Sequence, residues 1–127
     1  MPFSRIIRAM RSIGDVLKFR RDGNVGIVRL IGEIDTAMRE PLIVFFDDKL
    51  ADGVDTFIVD LSEANYVSSA IWGALITVLK HTRERGGDIV VCAPKGQVLK
   101  VYKVMAFDKV FKTYNDIYEA LRAIRGE

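Results

Sequence analysis

The chain has 127 residues, of which 50% are hydrophobic and 28% are charged, and its formal net charge is +2. These values are typical of one compact domain and lack the low hydrophobicity of a disordered chain. The single Cys92 and the single His81 cannot provide the usual set of about four zinc ligands, and a lone cysteine excludes an internal disulfide. A Ser-His or Cys-His mechanism would depend on His81 alone. We therefore expect no enzyme, no metal and no cofactor, with Cys92 buried in a strand and His81 exposed.

No run of residues approaches the roughly 18 apolar residues of a membrane span, and the N-terminal stretch lacks the pattern of a secretory signal. A cytoplasmic location is therefore expected. The positive charge is uneven, because residues 1–21 hold six cations against one carboxylate and leave the rest of the chain mildly acidic. The first cations of this stretch alternate with aliphatic residues instead of aromatic ones, so nucleic acid is not an expected partner.

Residues 1–14 are predicted to form a basic amphipathic segment that precedes a domain over residues 15–127. The apolar residues of the segment recur at helical spacing, with arginines between them. Because a short helix is marginal in water by itself, the segment is expected to pack on its own domain, to dock on a membrane surface or a partner, or to support a homodimer or larger scaffold. The apolar residues are Phe3, Ile6, Ile7, Met10 and Ile13, and the basic ones are Arg5, Arg8 and Arg11.

The domain opens with two β-rich stretches, at residues 16–21 and 25–31. Asp22, Gly23 and Asn24 lie between them, and these residue types tolerate the positive φ angles of a tight turn. The pattern therefore predicts a β-hairpin.

A helix is predicted to follow the hairpin and to reach about Leu50. Asp35 or Thr36 can accept a hydrogen bond from the free amides at its start, and Pro41 is tolerated only in its first turn. Ile43 falls off the buried stripe together with Val44, and this pair is interpreted either as a partly covered flank or as a second contact surface. The predicted buried stripe consists of Leu42, Phe45, Phe46 and Leu50.

The apolar run over residues 56–61 predicts a strand that is buried on both faces. Ser68 and Ser69 are alternative N-caps of the next helix, which is predicted to continue to Arg85. Free amides and the positive dipole end at this helix start favour a nearby phosphate or carboxylate, so a small-molecule or nucleotide-binding sensor module is kept as an alternative function. The predicted buried face of the helix consists of Ile71, Ala74, Leu75, Val78 and Thr82.

The remaining sequence continues the alternation of strands and helices. Residues 88–93 predict a second buried strand, residues 98–105 a third helix and residues 110–114 a short strand, and Asn115 or Asp116 caps a last helix. The whole order predicts a small α/β sandwich, with a mixed sheet of about five strands that starts with the hairpin and about four helices.

Four motifs in order resemble the STAS domain, the family of sulphate transporter and anti-sigma factor antagonist domains. They are Gly32-Glu33-Ile34-Asp35, the stretch from Phe57 to Ser62, the stretch from Tyr66 to Leu75 and the stretch from Glu84 to Ile89. The closing stretch from Phe107 to Ile124 is also similar, so the resemblance covers about residues 15–124. It implies a non-enzymatic protein that binds an anti-sigma factor with serine kinase activity. In the family, phosphorylation of a serine in an Asp-Ser-Ser-Gly motif at this helix start releases the complex, since a phosphate adds about −1.5 to −2 charges to the contact surface.

The sequence departs from this motif at the position of the phosphorylated serine. Matching the following Gly-Ala-Leu to the family places Ser68 at the usual Asp, Ser69 at the first Ser and Ala70 at the phosphorylated Ser. Either Ser69 has taken over the phosphorylation or the switch is lost, and loss is the favoured hypothesis. Trp72 falls off the buried stripe, so it is interpreted either as an exposed interface anchor or as a side chain at the edge of the core. The resemblance implies a partner-binding region at Asp35, Ser68, Ser69, Ala70, Ile71 and Trp72.

Overall fold

Residues 13–127, which the computed structural model describes, form a mixed sheet with helices on both faces. The predicted α/β class and the predicted numbers of strands and helices are confirmed for this part of the chain. The strands are β1 (Leu17–Asp22), β2 (Val25–Ile34), β3 (Thr56–Val67), β4 (Asp88–Cys92) and β5 (Lys112–Tyr114). The helices are α1 (Arg39–Ala51), α2 (Ser69–Glu84), α3 (Gly96–Val104) and α4 (Ile117–Ile124), and single 3-10 turns occur at Ile13–Asp15, Thr36–Met38 and Phe107–Lys109.

The five strands of the sheet lie in sequence order, from β1 at one edge to β5 at the other. β1 pairs with β2 in antiparallel fashion, with Asp22 opposite Val25, and the following pairs are parallel. Gly23 closes the turn between β1 and β2 with a φ of +62°, which a residue without a side chain adopts at no steric cost. The predicted hairpin is confirmed.

The core has two layers, because the side chains of each strand alternate between the faces of the sheet. Phe57 and Val59 of β3 face the larger layer, where they pack under α1, α2 and α3. Ile58 faces the smaller layer, together with Val90 and with Ala120 of α4. The prediction that the β3 run is buried on both faces is confirmed.

β3 is longer than the sequence predicts, since it continues beyond Leu61 to Val67. Its second half pairs with β2 alone, because β4 ends opposite Asp60. The pairing with β2 is interrupted by register shifts near Ile31 and Glu33, which are typical of β-bulges. The extension carries the chain past the end of β4 before α2 begins.

α1 begins at Arg39, later than the caps predicted for it. Asp35 caps the preceding 3-10 turn, since its Oδ1 atom accepts a hydrogen bond from the Ala37 amide at 3.0 Å. In α1 itself, Leu42, Phe46 and Leu50 are buried as predicted. Phe45 of the predicted stripe is only half-buried and meets the Phe19 and Phe46 rings edge-on.

The predicted amphipathic segment falls on residues 1–14, of which residues 1–12 lie outside the described part of the chain. Ile13 opens the 3-10 turn before β1 and packs against the larger core layer. The Val16 amide donates to the Ile13 carbonyl at 3.1 Å, and the Ile31 amide donates to the Val16 carbonyl at 2.8 Å. The chain is therefore fixed beside β2 from Ile13 onward. Across residues 13–127, no helix is long and apolar enough to cross a membrane.

Candidate functional site

The start of α2 is capped by Ser68, one of the two serines predicted for this role. The Ser68 hydroxyl accepts a hydrogen bond from the Ile71 amide at 3.3 Å, and the Ser68 backbone has the extended conformation of an N-cap. This side chain is buried, with 5% of the residue exposed. Ser69, the first helical residue, is exposed, and Ala70 is half-buried. The two serines therefore have different environments, and only Ser69 presents its side chain to solvent.

The turn between β2 and α1 lies next to the start of α2. Ile34 at the end of β2 is in register with Val67 at the end of β3, so the two parallel strands release their following segments side by side. The Ser68 amide donates to the Ile34 carbonyl at 3.0 Å, and the Thr36 hydroxyl donates to the Ser68 hydroxyl at 3.4 Å. Asp35 is exposed on this turn. The fold thus brings Asp35 and the start of α2 to one edge of the sheet.

Trp72 is buried, with 2% of its surface exposed, and the interpretation as an exposed anchor is wrong. Its ring stacks on Phe107 at a centroid distance of 4.7 Å and lies 5.5 Å from the ring of Tyr102. These aromatic neighbours come from α3 and the turn after it, so the pattern of α2 alone could not reveal them. Ile71 is also fully buried. Both side chains therefore pack beneath the start of α2 and support its position, without reaching solvent themselves.

The exposed side of α2 holds residues that the sequence reasoning did not select. Gly73 is exposed one turn after Ser69, with open space around its Cα position, and Ile76 follows it on the same side. Tyr66, half-exposed at the end of β3, adds an aromatic ring near the helix start. The spacing opposite the predicted buried stripe could have indicated the helical positions. Tyr66 could not be found this way because β3 was predicted to end before it.

A second polar cluster lies on the opposite face of the sheet, and the sequence reasoning missed it. Asp60 is 3% exposed, and its carboxylate accepts hydrogen bonds from Arg29 Nε at 3.0 Å and from the Ser62 amide at 2.9 Å. Arg29 also pairs with Glu63 at 3.2 Å. The hydrogen bond to Asp60 and its negative charge raise the pKa of Arg29. Because this carboxylate is paired on both oxygens, the cluster is a structural brace across β2 and β3.

Cys92 and His81 are the single cysteine and the single histidine of the chain. Cys92 is fully buried at the end of β4, as predicted, and burial with the nearby Asp60 charge raises its pKa to about 12. The thiol is therefore protonated near neutral pH and has the character of a buried apolar residue. His81 is half-exposed instead of fully exposed, and its Nδ1 atom lies 3.0 Å from Asp47 Oδ1, which links α2 to α1.

A crevice of about 330 Å³ lies where the parallel strands end on the α4 side, which is the position at which open α/β sheets commonly bind small ligands. Cations from β1, β2 and the segment before α3 line it, but the carboxylates of Asp60 and Asp116 line it as well. The mixed charge gives no preference for an anion. Within residues 13–127, no cluster of three acidic, histidine or cysteine residues could hold a metal ion.

Comparison with known proteins identifies the family. The profile of the STAS domain matches residues 17–120. A protein of Thermotoga neapolitana, named as a candidate anti-sigma factor antagonist, is 28% identical over 81 residues, covering 64% of this chain and 72% of that protein. The anti-sigma-F factor antagonist RsfB of Mycobacterium tuberculosis is 26% identical over 105 residues, covering 80% of this chain and 83% of RsfB.

The fold has a solved counterpart in the anti-sigma factor antagonist SpoIIAA in its unphosphorylated form. That structure matches with a TM-score of 0.77 at 18% identity, covering 87% of this chain and 97% of SpoIIAA. The shared architecture agrees with the sheet order and helix placement described above. The chain therefore belongs to the STAS domain family and is similar to its anti-sigma factor antagonists, which are non-enzymatic regulators.

Proposed function

We propose that this protein is an anti-sigma factor antagonist that binds an anti-sigma factor in the cytoplasm and whose control by phosphorylation is lost or altered. The observation that carries the proposal is the match of a STAS domain profile to residues 17–120, in which the edge formed by the start of α2 carries an alanine. In this proposal the binding unit is the domain over residues 15–127, and the basic sequence of residues 1–14 precedes it.

The partner surface in this proposal is centred on the exposed edge at the start of α2. Asp35 and Ser69 are exposed there, and Ala70 is partly accessible. Ser68 fixes the edge through its cap, and the buried Ile71 and Trp72 support it from below. A rigid, preorganised surface favours binding, because less conformational entropy is lost when the partner docks.

The proposed loss of control by phosphorylation is based on the chemistry of Ala70. A methyl side chain offers no oxygen for phosphoryl transfer, so the negative charge that would disrupt the interface cannot be added at this position. SpoIIAA, by contrast, has solved structures named as the unphosphorylated and the phosphorylated form. Ser69 remains the alternative acceptor, since its side chain is exposed. It lies one residue away, which on a helix is a rotation of about 100° from Ala70.

The proposal is tested by recovering the tagged protein from its own host and identifying what binds to it. An anti-sigma factor with a kinase domain is the expected partner. Reconstitution with that kinase and ATP, followed by mass spectrometry, then tests the switch. The expected result is a complex that persists in ATP without phosphoprotein. A phosphoprotein that disappears in Ser69→Ala would show that Ser69 has taken over, and a stable complex with an unrelated protein alone would overturn the proposed function.

A further inference from the structure

α1 carries an outward strip, formed by Glu40, Val44 and Asp48, on the side opposite the buried Leu42, Phe46 and Leu50. The three positions follow one another at intervals of four, which places them on one face of the helix. Glu40 and Asp48 are exposed, and the half-buried Val44 lies between them. Ile43, the neighbouring position, packs against the core instead. The strip is therefore an apolar residue set between two carboxylates.

The surroundings of this outward strip are also acidic. Asp47 and Asp52 lie beside it on α1 and at its C-cap. Arg39 pairs with Glu40 at 2.7 Å and Asp47 lies 3.0 Å from His81, so Asp48 and Asp52 are the carboxylates of this surface without a cationic partner among the described residues, and Lys49 lies 4.7 Å from the centre of the Phe19 ring. A matching surface would have to be basic and apolar at once.

The N-terminal stretch of the same chain has this composition. Residues 1–12 hold three arginines and no carboxylate, with apolar residues at helical spacing between them. The described chain starts at Ile13, which packs on the same core layer as Met38, the residue before α1. Val16 is held at Ile31, close to the end of β2, where the chain turns toward α1. The segment thus enters the domain beside the end of β2, from which the chain leads through the Thr36–Met38 turn into α1.

The N-terminal segment and α1 are also similar in length. Twelve residues in helical conformation extend about 18 Å, and the thirteen residues of α1 extend about 20 Å, at a rise of about 1.5 Å per residue. The segment is therefore long enough to reach along the outward strip. A short tether also makes this contact intramolecular, which raises its effective concentration over that of a separate partner.

We propose that residues 1–12 dock along the outward strip of α1, with arginines against Asp48 and apolar side chains over Val44. The docked segment covers the acidic flank of the domain and lies beside the turn that carries Asp35. The contact depends on charge, so it weakens as ionic strength rises and screens the exposed carboxylates.

Paramagnetic NMR on the full chain tests this contact. A nitroxide attached at Ser4→Cys labels the segment selectively, because the native Cys92 thiol is fully buried. The expected result is line broadening of amides along α1, centred on Val44. Asp48→Lys is expected to weaken docking by at least about two- to five-fold, because losing an exposed ion pair has this effect and the new lysine also repels the arginines. Glu84→Lys, an equal charge change at an exposed position on α2, is the matched control and is expected to leave the broadening unchanged.

A second sample distinguishes docking within one chain from docking between two copies. In this mixture, one protein carries the nitroxide but no ¹⁵N, and the other carries ¹⁵N but no nitroxide. Docking within one chain broadens the α1 signals of the doubly labelled sample, in which each chain carries both labels, and leaves the signals of the mixture unchanged. Broadening of α1 in the mixture would show that a second copy occupies the strip. That result, or a doubly labelled sample in which α1 is not broadened, would overturn the proposal. The readout requires no anti-sigma factor, so it is independent of the proposed function.

Discussion

The Ser68 amide donates a hydrogen bond to the Ile34 carbonyl at 3.0 Å, and this bond ties the start of α2 to the end of β2. Ser68 uses its hydroxyl at the same time to cap α2 through the Ile71 amide. One residue therefore fixes both the first turn of the helix and its position beside the turn that carries Asp35. The candidate partner surface depends on this arrangement more than on any single exposed side chain.

The cap makes a prediction about stability. Ser68→Ala is expected to lower the free energy of unfolding by about 1 kcal/mol, because the Ile71 amide loses the capping hydroxyl at 3.3 Å and keeps only the Ser68 carbonyl at 3.0 Å. Ser68→Asp is expected to retain most of the stability, since Asp is an equally good N-cap and its charge suits the positive end of the helix dipole. Urea unfolding followed by circular dichroism measures both. Equal losses for the two variants would contradict the capping role.

Trp72 is expected to be a packing residue. Trp72→Ala is expected to destabilise the protein by about 3–5 kcal/mol, because it leaves a cavity among Tyr102, Phe107 and the start of α2. Tyr118→Ala is the control, since Tyr118 is an aromatic residue with 71% of its surface exposed, and it is expected to change the stability by less than about 0.5 kcal/mol. Chemical denaturation gives both values. A loss below about 1 kcal/mol for Trp72→Ala would show that the site collapses without this ring.

A negative charge at position 70 is expected to imitate a phosphorylated residue there. Ala70→Glu places a carboxylate on the candidate surface and is expected to weaken binding to the anti-sigma factor by about tenfold or more, which corresponds to about 1.4 kcal/mol. Lys80→Glu places the same residue on an exposed position of α2 farther from its start and is expected to have little effect. Isothermal titration calorimetry compares the two variants. Unchanged affinity for Ala70→Glu would place the interface elsewhere.

Cys92 is expected to be unreactive in the folded protein. Its pKa is raised from 9.0 to about 12, mainly by burial, so the reactive thiolate is scarce at pH 8. A disulfide reagent at pH 8 is therefore expected to modify the thiol only after urea unfolds the chain. The folded state holds this proton more tightly than the unfolded state, so the contribution of Cys92 to stability falls as pH rises from 9.0 toward 12. Rapid stoichiometric modification of the native protein would contradict this environment.

Local patterns in the sequence were sufficient for most elements. The turn between β1 and β2, the Ser68 and Asp116 caps and the buried stripe of α2 depend on residues that are close together in the chain, and each is confirmed. The extension of β3 was not predictable in this way. Ser62, Glu63 and Asn65 make the segment look like a loop, and it becomes a strand because β2 offers a partner on one side.

The sequence alone determined the fold class, the family resemblance and the alanine at position 70, because these depend on residue order and periodicity. Only the tertiary structure decided which candidate residues reach the surface. Trp72 lies off the stripe predicted for α2, yet it is buried because α3 and the turn after it cover that side with Tyr102 and Phe107. Asp35 and Ser69 are far apart in the chain and share an edge because parallel β2 and β3 end together. The burial of a residue depends on side chains from segments that are distant in the chain. The sequence pattern of a single helix contains no information about those segments.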